Sequence, residues 1–242
     1  MAKSTPRLFV DQPLNAAAEI NLAAEQAHYL GGVLRLQAGD AVSIFNGRDG
    51  EFLSFVAEAA KKKMLLRVER LTSSVTPPPD IDYLFAPLKH LRLDYLVQKA
   101  TELGARRLRP VITARTIAER VNLDRMQANV IEAAEQCNLV FVPEVLPPVT
   151  LNAAVRDWDA KRVLIYCDEG AGKGDALKTL SKLKPPAAIL VGPEGGFTAE
   201  ERAMLKALPF VHAVSLGPRI MRADTAAVAV LALVQAVLGD WT

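Results

Sequence analysis

Apolar and polar positions change rhythm near residue 72. Before it, apolar runs are short. Ala41-Val42-Ser43-Ile44-Phe45 and Phe52-Leu53-Ser54-Phe55-Val56 flank Asn46-Gly47-Arg48-Asp49-Gly50, turn-forming residues between strand-like segments, which predicts a hairpin. Met64 to Val68 reads as a third strand and Ala23 to Leu30 as a short helix. Residues 1–72 therefore read as a small β-barrel or sheet domain. Residues 73–80, with Pro77-Pro78-Pro79, predict a semi-stiff linker.

From 81 to 242 strand-like and helix-like segments alternate. Strands are expected at Ile81–Ala86, Leu108–Ile112, Val163–Cys167, Ala188–Val191 and Val211–Ser215. Helices are expected at Leu91–Leu103, Leu123–Cys137, from Thr198 onward and at Thr225–Leu238. Gly104 stands where a helix-ending glycine belongs. Thr198-Ala199-Glu200-Glu201 reads as a capping box, in which the Thr hydroxyl and the Glu carboxylate each satisfy a backbone N–H of the first turn. Alternation of this kind predicts an α/β domain on a parallel sheet. The last helix is apolar on nearly every face, so either its own domain sheathes it or a second subunit does.

Composition narrows the class. The chain has 242 residues, half of them apolar and 23% charged, which suffices for a sizeable core. A net charge of +2 does not by itself announce a nucleic-acid partner, so local clusters must. Cys137 and Cys167 are far apart and in no metal or CxxC spacing, which fits a reducing cytosol. The N-terminus lacks a signal-peptide pattern, and the apolar stretch Ala226–Leu238 is too short to span a bilayer. A cytoplasmic protein with no membrane partner is expected.

Two segments carry the chemistry. Gly192-Pro193-Glu194-Gly195-Gly196-Phe197 and Leu216-Gly217-Pro218-Arg219-Ile220-Met221-Arg222 each follow a strand and lead into a helix. Loops at the carboxyl ends of strands are where open α/β sheets bind ligands. Glycines there let backbone approach a ligand. The pair reads as two walls of one small-molecule pocket, with an adenine-like ring among Leu190, Leu216, Ile220 and Met221. By contrast, Gly170-Ala171-Gly172-Lys173-Gly174-Asp175 fails the phosphate-loop pattern and reads as a plain loop. His28, His90 and His212 lack metal spacing, so no metal site is assigned.

These residues resemble the RsmE family of SPOUT methyltransferases. The match rests on Leu190 to Phe197 and Leu216 to Arg222. It is supported by His28-Tyr29-Leu30 with Val33-Leu34-Arg35, Gln98 to Gly104, and Glu132-Ala133-Ala134-Glu135-Gln136-Cys137, in family order. The resemblance implies S-adenosylmethionine-dependent methylation of N3 of a specific uridine in 16S rRNA of the small ribosomal subunit. It also implies a PUA-like RNA-binding barrel over 1–72, a SPOUT domain with a deep trefoil knot over 81–242, and a homodimer. The cofactor would be held by Leu190, Gly192, Glu194, Gly195, Gly196, Leu216, Gly217, Ile220, Met221, Thr225 and Ala226. Three departures stand out, one of them a segment between Ile112 and Leu123 that looks short. Ala223-Asp224-Thr225 replaces the usual Thr-Glu-Thr, and Asn138-Leu139 replaces the usual Gly-Arg.

Methylating uridine N3 requires loss of its proton and stabilisation of the negative charge that spreads onto the uracil oxygens. Arg222 is the candidate for the second task, because a guanidinium offers a permanent charge and a planar fork of donors. A salt bridge to Asp224 or Glu194 is its alternative role. Glu135, Glu194, Asp224 or solvent could take the proton. Arg35, Arg107, Arg115 and Arg125 are the candidate phosphate contacts, the last three from a run that also holds Arg106, Arg109 and Arg120. Lys61-Lys62-Lys63 reads as a solvated charged face. A methyltransferase acting on another RNA, or a non-catalytic ribosome-assembly protein, are the alternative readings.

Overall fold

The computed structural model describes residues 5–60, 63–89, 91–117, 120–170 and 176–241. Lys61, Lys62, His90 and residues 171–175 of the glycine-containing loop, all singled out above, lie outside the described residues. Contacts divide the chain into two compact units, Met1–Pro77 with Ala134–Val142, and Pro78–Ala133 with Pro143–Thr242. The stretch 134–142, placed by pattern in the second domain, thus groups with the first.

The first unit is a five-stranded sheet of β1 (Arg7–Phe9), β2 (Glu19–Asn21), β3 (Ala41–Phe45), β4 (Glu51–Ala60) and β5 (Lys63–Ser73), in the order β1-β3-β4-β5-β2. β3 and β4 form the expected hairpin, with Phe52, Ser54 and Val56 facing inward on alternate positions. Helix α1 (Ala24–His28) runs into a π-helical turn over Tyr29–Val33. The core includes Ile44, Leu66, Leu30 and Val42.

Arg7 ties residues 134–142 to this unit. Its guanidinium donates to both Glu51 carboxylate oxygens at 3.0 and 3.1 Å, and to the carbonyls of Ala134, Glu135 and Leu139 at 2.7, 3.0 and 3.1 Å. Those carbonyls close a helix end, where acceptors have no partner inside the helix and a cation is favoured. Asn138 takes the left-handed conformation at φ 56°, and Leu139 N–H reaches back to Ala134 O at 3.1 Å. Asparagine tolerates that conformation, so the departure from the family's glycine keeps the turn.

The second unit carries a parallel sheet of β6 (Ile81–Phe85), β7 (Arg107–Ile112), β8 (Glu144–Val145), β10 (Val163–Cys167), β11 (Ala187–Val191) and β12 (Val211–Val214), in the order β12-β10-β11-β6-β7-β8. A short β9 (Val149–Thr150) pairs with β7. β6 and β11 are buried at every position, as strands covered on both faces should be. Helices α2 (Leu91–Glu102), α3 (Leu123–Gln136), α4 (Leu151–Arg156), α5 (Ala176–Leu180), α6 (Ala199–Ala207) and α7 (Ala223–Leu238) alternate with the strands. α7 packs on α2, α5 and β11. Its fully buried Gln235 donates to the carbonyls of Leu103 and Gly104 at 2.8 and 3.1 Å, closing the end of α2. Among the described residues no helix is long and apolar enough to cross a membrane.

Candidate active site

Because the sheet is parallel, the segments after β10, β11 and β12 emerge at one edge. There they enclose a cleft of about 110 Å³. Gly192, Pro193, Glu194, Gly196 and Phe197 form one wall; Leu216, Gly217, Arg219, Ile220 and Met221 form the other. β11 and β12 are not adjacent. β10 lies between them, and its end supplies the floor, Cys167, Asp168 and Glu169. The pattern analysis missed this floor. Its signal is an apolar strand, Val163–Cys167, ending in two acids and Gly170.

Different glycines serve different ends here. A Cβ on Gly192 would stand 2.5 Å from the Phe197 ring. That ring packs edge-on against Tyr166 with centroids 5.1 Å apart, so Gly192 is needed for packing beneath the loop. Gly196 and Gly217 take φ of 65° and 106°, conformations that L side chains rarely adopt. Apart from its chain neighbours, none of the described residues comes within 4 Å of a Cβ built on Gly217, which leaves that stretch of backbone open.

The electrostatics of the floor centre on Asp168, whose side chain is 1% exposed. Lys206 Nζ lies 2.9 Å from its Oδ2, Arg202 Nη1 lies 3.8 Å from Oδ1, and Gly170 N–H donates to Oδ1 at 3.0 Å. Burial pulls this carboxyl up, but Lys206, Gly170 N–H and Arg202 outweigh it and hold it below its ordinary 3.8. Arg202 also pairs with Glu169 at 3.1 Å. Burial pushes the Cys167 thiol up to about 12.

The glycine loop is tied to the segment after β7. Thr198 Oγ1 accepts from Glu201 N–H at 3.2 Å, and Glu201 Oε2 accepts from Thr198 N–H at 2.9 Å, so the expected capping box is present. The second carboxylate oxygen of Glu201 accepts from Ala114 N–H at 2.8 Å. Arg115 Nη1 donates to Gly195 O at 2.7 Å, and its alkyl chain lies 3.5 Å from where a Gly195 Cβ would be.

Residues 76–235 match the family model described as RNA methyltransferase domain, and residues 22–69 match the one described as RNA methyltransferase PUA domain. The chain belongs to this RNA methyltransferase family. Ribosomal RNA small subunit methyltransferase E of Rickettsia conorii is 29% identical over 95% of this chain and 94% of that protein. The protein of the same name from Synechocystis sp. is 32% identical over 96% of this chain and 78% of its own length. The crystal structure of a ribosomal RNA small subunit methyltransferase E from Neisseria gonorrhoeae, bound to S-adenosyl methionine, superimposes with a TM-score of 0.86. It is 28% identical and covers 98% of this chain and all of that one.

Of the cofactor residues expected in this methyltransferase, Gly192, Glu194, Gly196, Leu216, Gly217, Ile220, Met221 and Ala226 line the cleft. Leu190 does not. Side chains alternate along a strand, and Leu190 turns into the core with Tyr166 and Phe197, leaving Val191 at the cleft. Gly195 is outside the lining and faces Arg115, and Thr225 is exposed on the first turn of α7. Arg222 is exposed at the start of α7 as its N-cap residue, between Met221 and Ala223 of the lining.

Two of the arginines expected to be phosphate contacts are engaged by carboxylates. Arg107 forms a two-pronged pair with Asp82, both contacts 2.7 Å, and Arg125 grips Asp94 at 2.9 and 2.6 Å. Arg115 is committed to the glycine loop. Arg35, at φ 58°, is exposed. Among the proton-acceptor candidates, Glu194 lines the cleft, where Arg92 pairs with it at 3.3 Å. Asp224 accepts from Thr225 N–H at 2.8 Å. Glu135 belongs to the first unit and accepts from Phe9 N–H at 2.8 Å.

Proposed function

We propose that this protein transfers the methyl group of S-adenosylmethionine to N3 of a specific uridine in 16S rRNA of the small ribosomal subunit. The observation that carries the reading is the cleft itself, with two glycine-bearing loops facing each other across a carboxylate floor. Its chemistry suits a sulfonium cofactor. Leu216, Ile220, Met221 and Ala226 supply apolar surface for an adenine ring, and open backbone at Gly217 admits close approach. Asp168, Glu169 and Glu194 supply negative charge for cationic groups. S-adenosylmethionine brings an activated methyl group, so the protein needs only to position, to accept a proton and to stabilise charge.

Glu194 is the carboxylate best placed to take the N3 proton, since it alone of the three candidates lines the cleft. Arg222, exposed at the cleft's rim, would stabilise charge on the uracil oxygens. Arg35 would hold RNA phosphate from the PUA domain. The reading includes a cytoplasmic homodimer with a trefoil knot in the methyltransferase domain. Support for the dimer is α7, whose Val228, Ala229, Ala232 and Leu233 are apolar yet only half-buried. Incubating the protein with S-adenosylmethionine and small subunits lacking the modification tests the function. Methyl transfer to uridine N3 is expected, and none with cofactor demonstrably bound would refute it.

A further inference from the structure

We infer that a groove beside the cofactor cleft receives the nucleotide to be methylated; this rests on the RNA methyltransferase reading above. The methyl acceptor must lie against the cleft. Glu194 is shared between the cleft and a second cavity of about 500 Å³, which places that cavity next to it. Its floor is apolar, with Pro87 and Leu88, and Leu91 and Ile117 stand at its rim. Leu91 is 78% exposed and Ile117 60%, and because both line this one cavity they form an apolar patch rather than isolated surface residues. Apolar surface of this kind accepts the face of a pyrimidine.

Charge selects the occupant. Through Leu88, Lys89 and Ile117 the cavity continues into a further groove of about 760 Å³ that reaches Arg120 and Arg125. Its carboxylate, Asp94, is already occupied by Arg125 and by Asn129 at 2.9 Å. Lys89 and Arg120 are exposed and have no carboxylate partner among the described residues. Arg92 holds Glu194 through one exposed contact at 3.3 Å, a weak pair that a phosphate can displace. Apolar floor, exposed cations along one side and continuity with the cleft together fit a single-stranded RNA segment. Its base would lie over Leu88 and Ile117 with its phosphates toward Lys89 and Arg120. A second protein copy would also cover Leu91 and Ile117, but it would leave the exposed Lys89 and Arg120 unexplained.

Photocrosslinking separates this proposal from the functional reading. Full-length protein is irradiated with 16S rRNA assembled into small subunits after 4-thiouridine substitution, and the attached peptides are mapped. Crosslinks at Leu88, Leu91 or Ile117 are expected. They would support the groove even if the wild-type protein methylated no uridine. Crosslinks confined to other segments would overturn it. In parallel, Ile117→Glu and Lys89→Ala are measured for cofactor affinity and for single-turnover methylation at saturating cofactor. Cofactor affinity within twofold of wild type and methylation at least a hundredfold slower for Ile117→Glu are expected. An unchanged rate in both variants would refute the groove. So would crosslinks unaltered by Ile117→Glu in a protein that the same substitution turns from dimer to monomer, since the face would then belong to a second copy.

Discussion

Glu201 offers the sharpest test of how the glycine loop is held. One carboxylate oxygen caps α6 through Thr198 N–H, and the other reaches Ala114 N–H on the segment after β7. Glu201→Ala removes both acceptors. Losing an N-terminal cap costs about 1 kcal/mol, and a hydrogen bond to a charged group is worth about 1.5–3 kcal/mol. Because the Ala114 contact is exposed, it is taken at the ordinary net worth of a hydrogen bond, about 1 kcal/mol, and a total of about 2 kcal/mol is expected. For a domain of this size that lowers the midpoint of thermal unfolding by roughly 4–8 °C. Glu201→Gln keeps one oxygen but points an amide donor at the other N–H, so it should lose about half as much. Both tryptophans, Trp158 and Trp241, lie in the second unit, so their fluorescence reports its unfolding. Cofactor titration of the same variants should show up to about tenfold weaker binding, from the order lost in the loop. Wild-type stability and affinity in Glu201→Ala would refute the bridge.

Gly196→Val places a β-branched residue at φ 65°, and calorimetry should show cofactor binding weakened at least tenfold with the fold intact by circular dichroism. Arg222→Ala should slow single-turnover methylation roughly a hundredfold while cofactor binding changes little, and Arg222→Lys should recover only part; a loss explained wholly by weaker binding would remove Arg222 from the chemistry. Asp168 titrates lower in the folded protein than in the unfolded chain, so its stabilisation is full at neutral pH and fades as pH falls below its ordinary 3.8. Acid unfolding of the second unit should therefore lose part of its pH dependence in Asp168→Asn.

Much of this arrangement was legible in the amino-acid order. The strands Ala41–Phe45 and Val163–Cys167 match their expected ends residue for residue, and the Thr198 capping box is formed as written. Such features depend on neighbours in sequence. What could not be read depends on neighbours in space. Strand order put β10 between the two loops, so Asp168 became the floor of the cleft. Alternation at the end of β11 exchanged Leu190 for Val191. Arg107 and Arg125 looked like free cations because Asp82 and Asp94, which neutralise them, lie 25 and 31 residues away. β8, β9 and α4 are too short to show a period. Arg7 gave no sign that it would gather the carbonyls of residues more than 120 positions distant.

The central claim is methylation of one uridine in small-subunit rRNA. Mass mapping of modified nucleosides in 16S rRNA, from cells lacking this protein and from the same cells carrying it again, tests that claim most directly. The expected result is loss of a single N3-methyluridine on deletion and its return with the intact gene. An unchanged set of 16S rRNA modifications, or a methyl group missing from a ribose or another base instead, would contradict it.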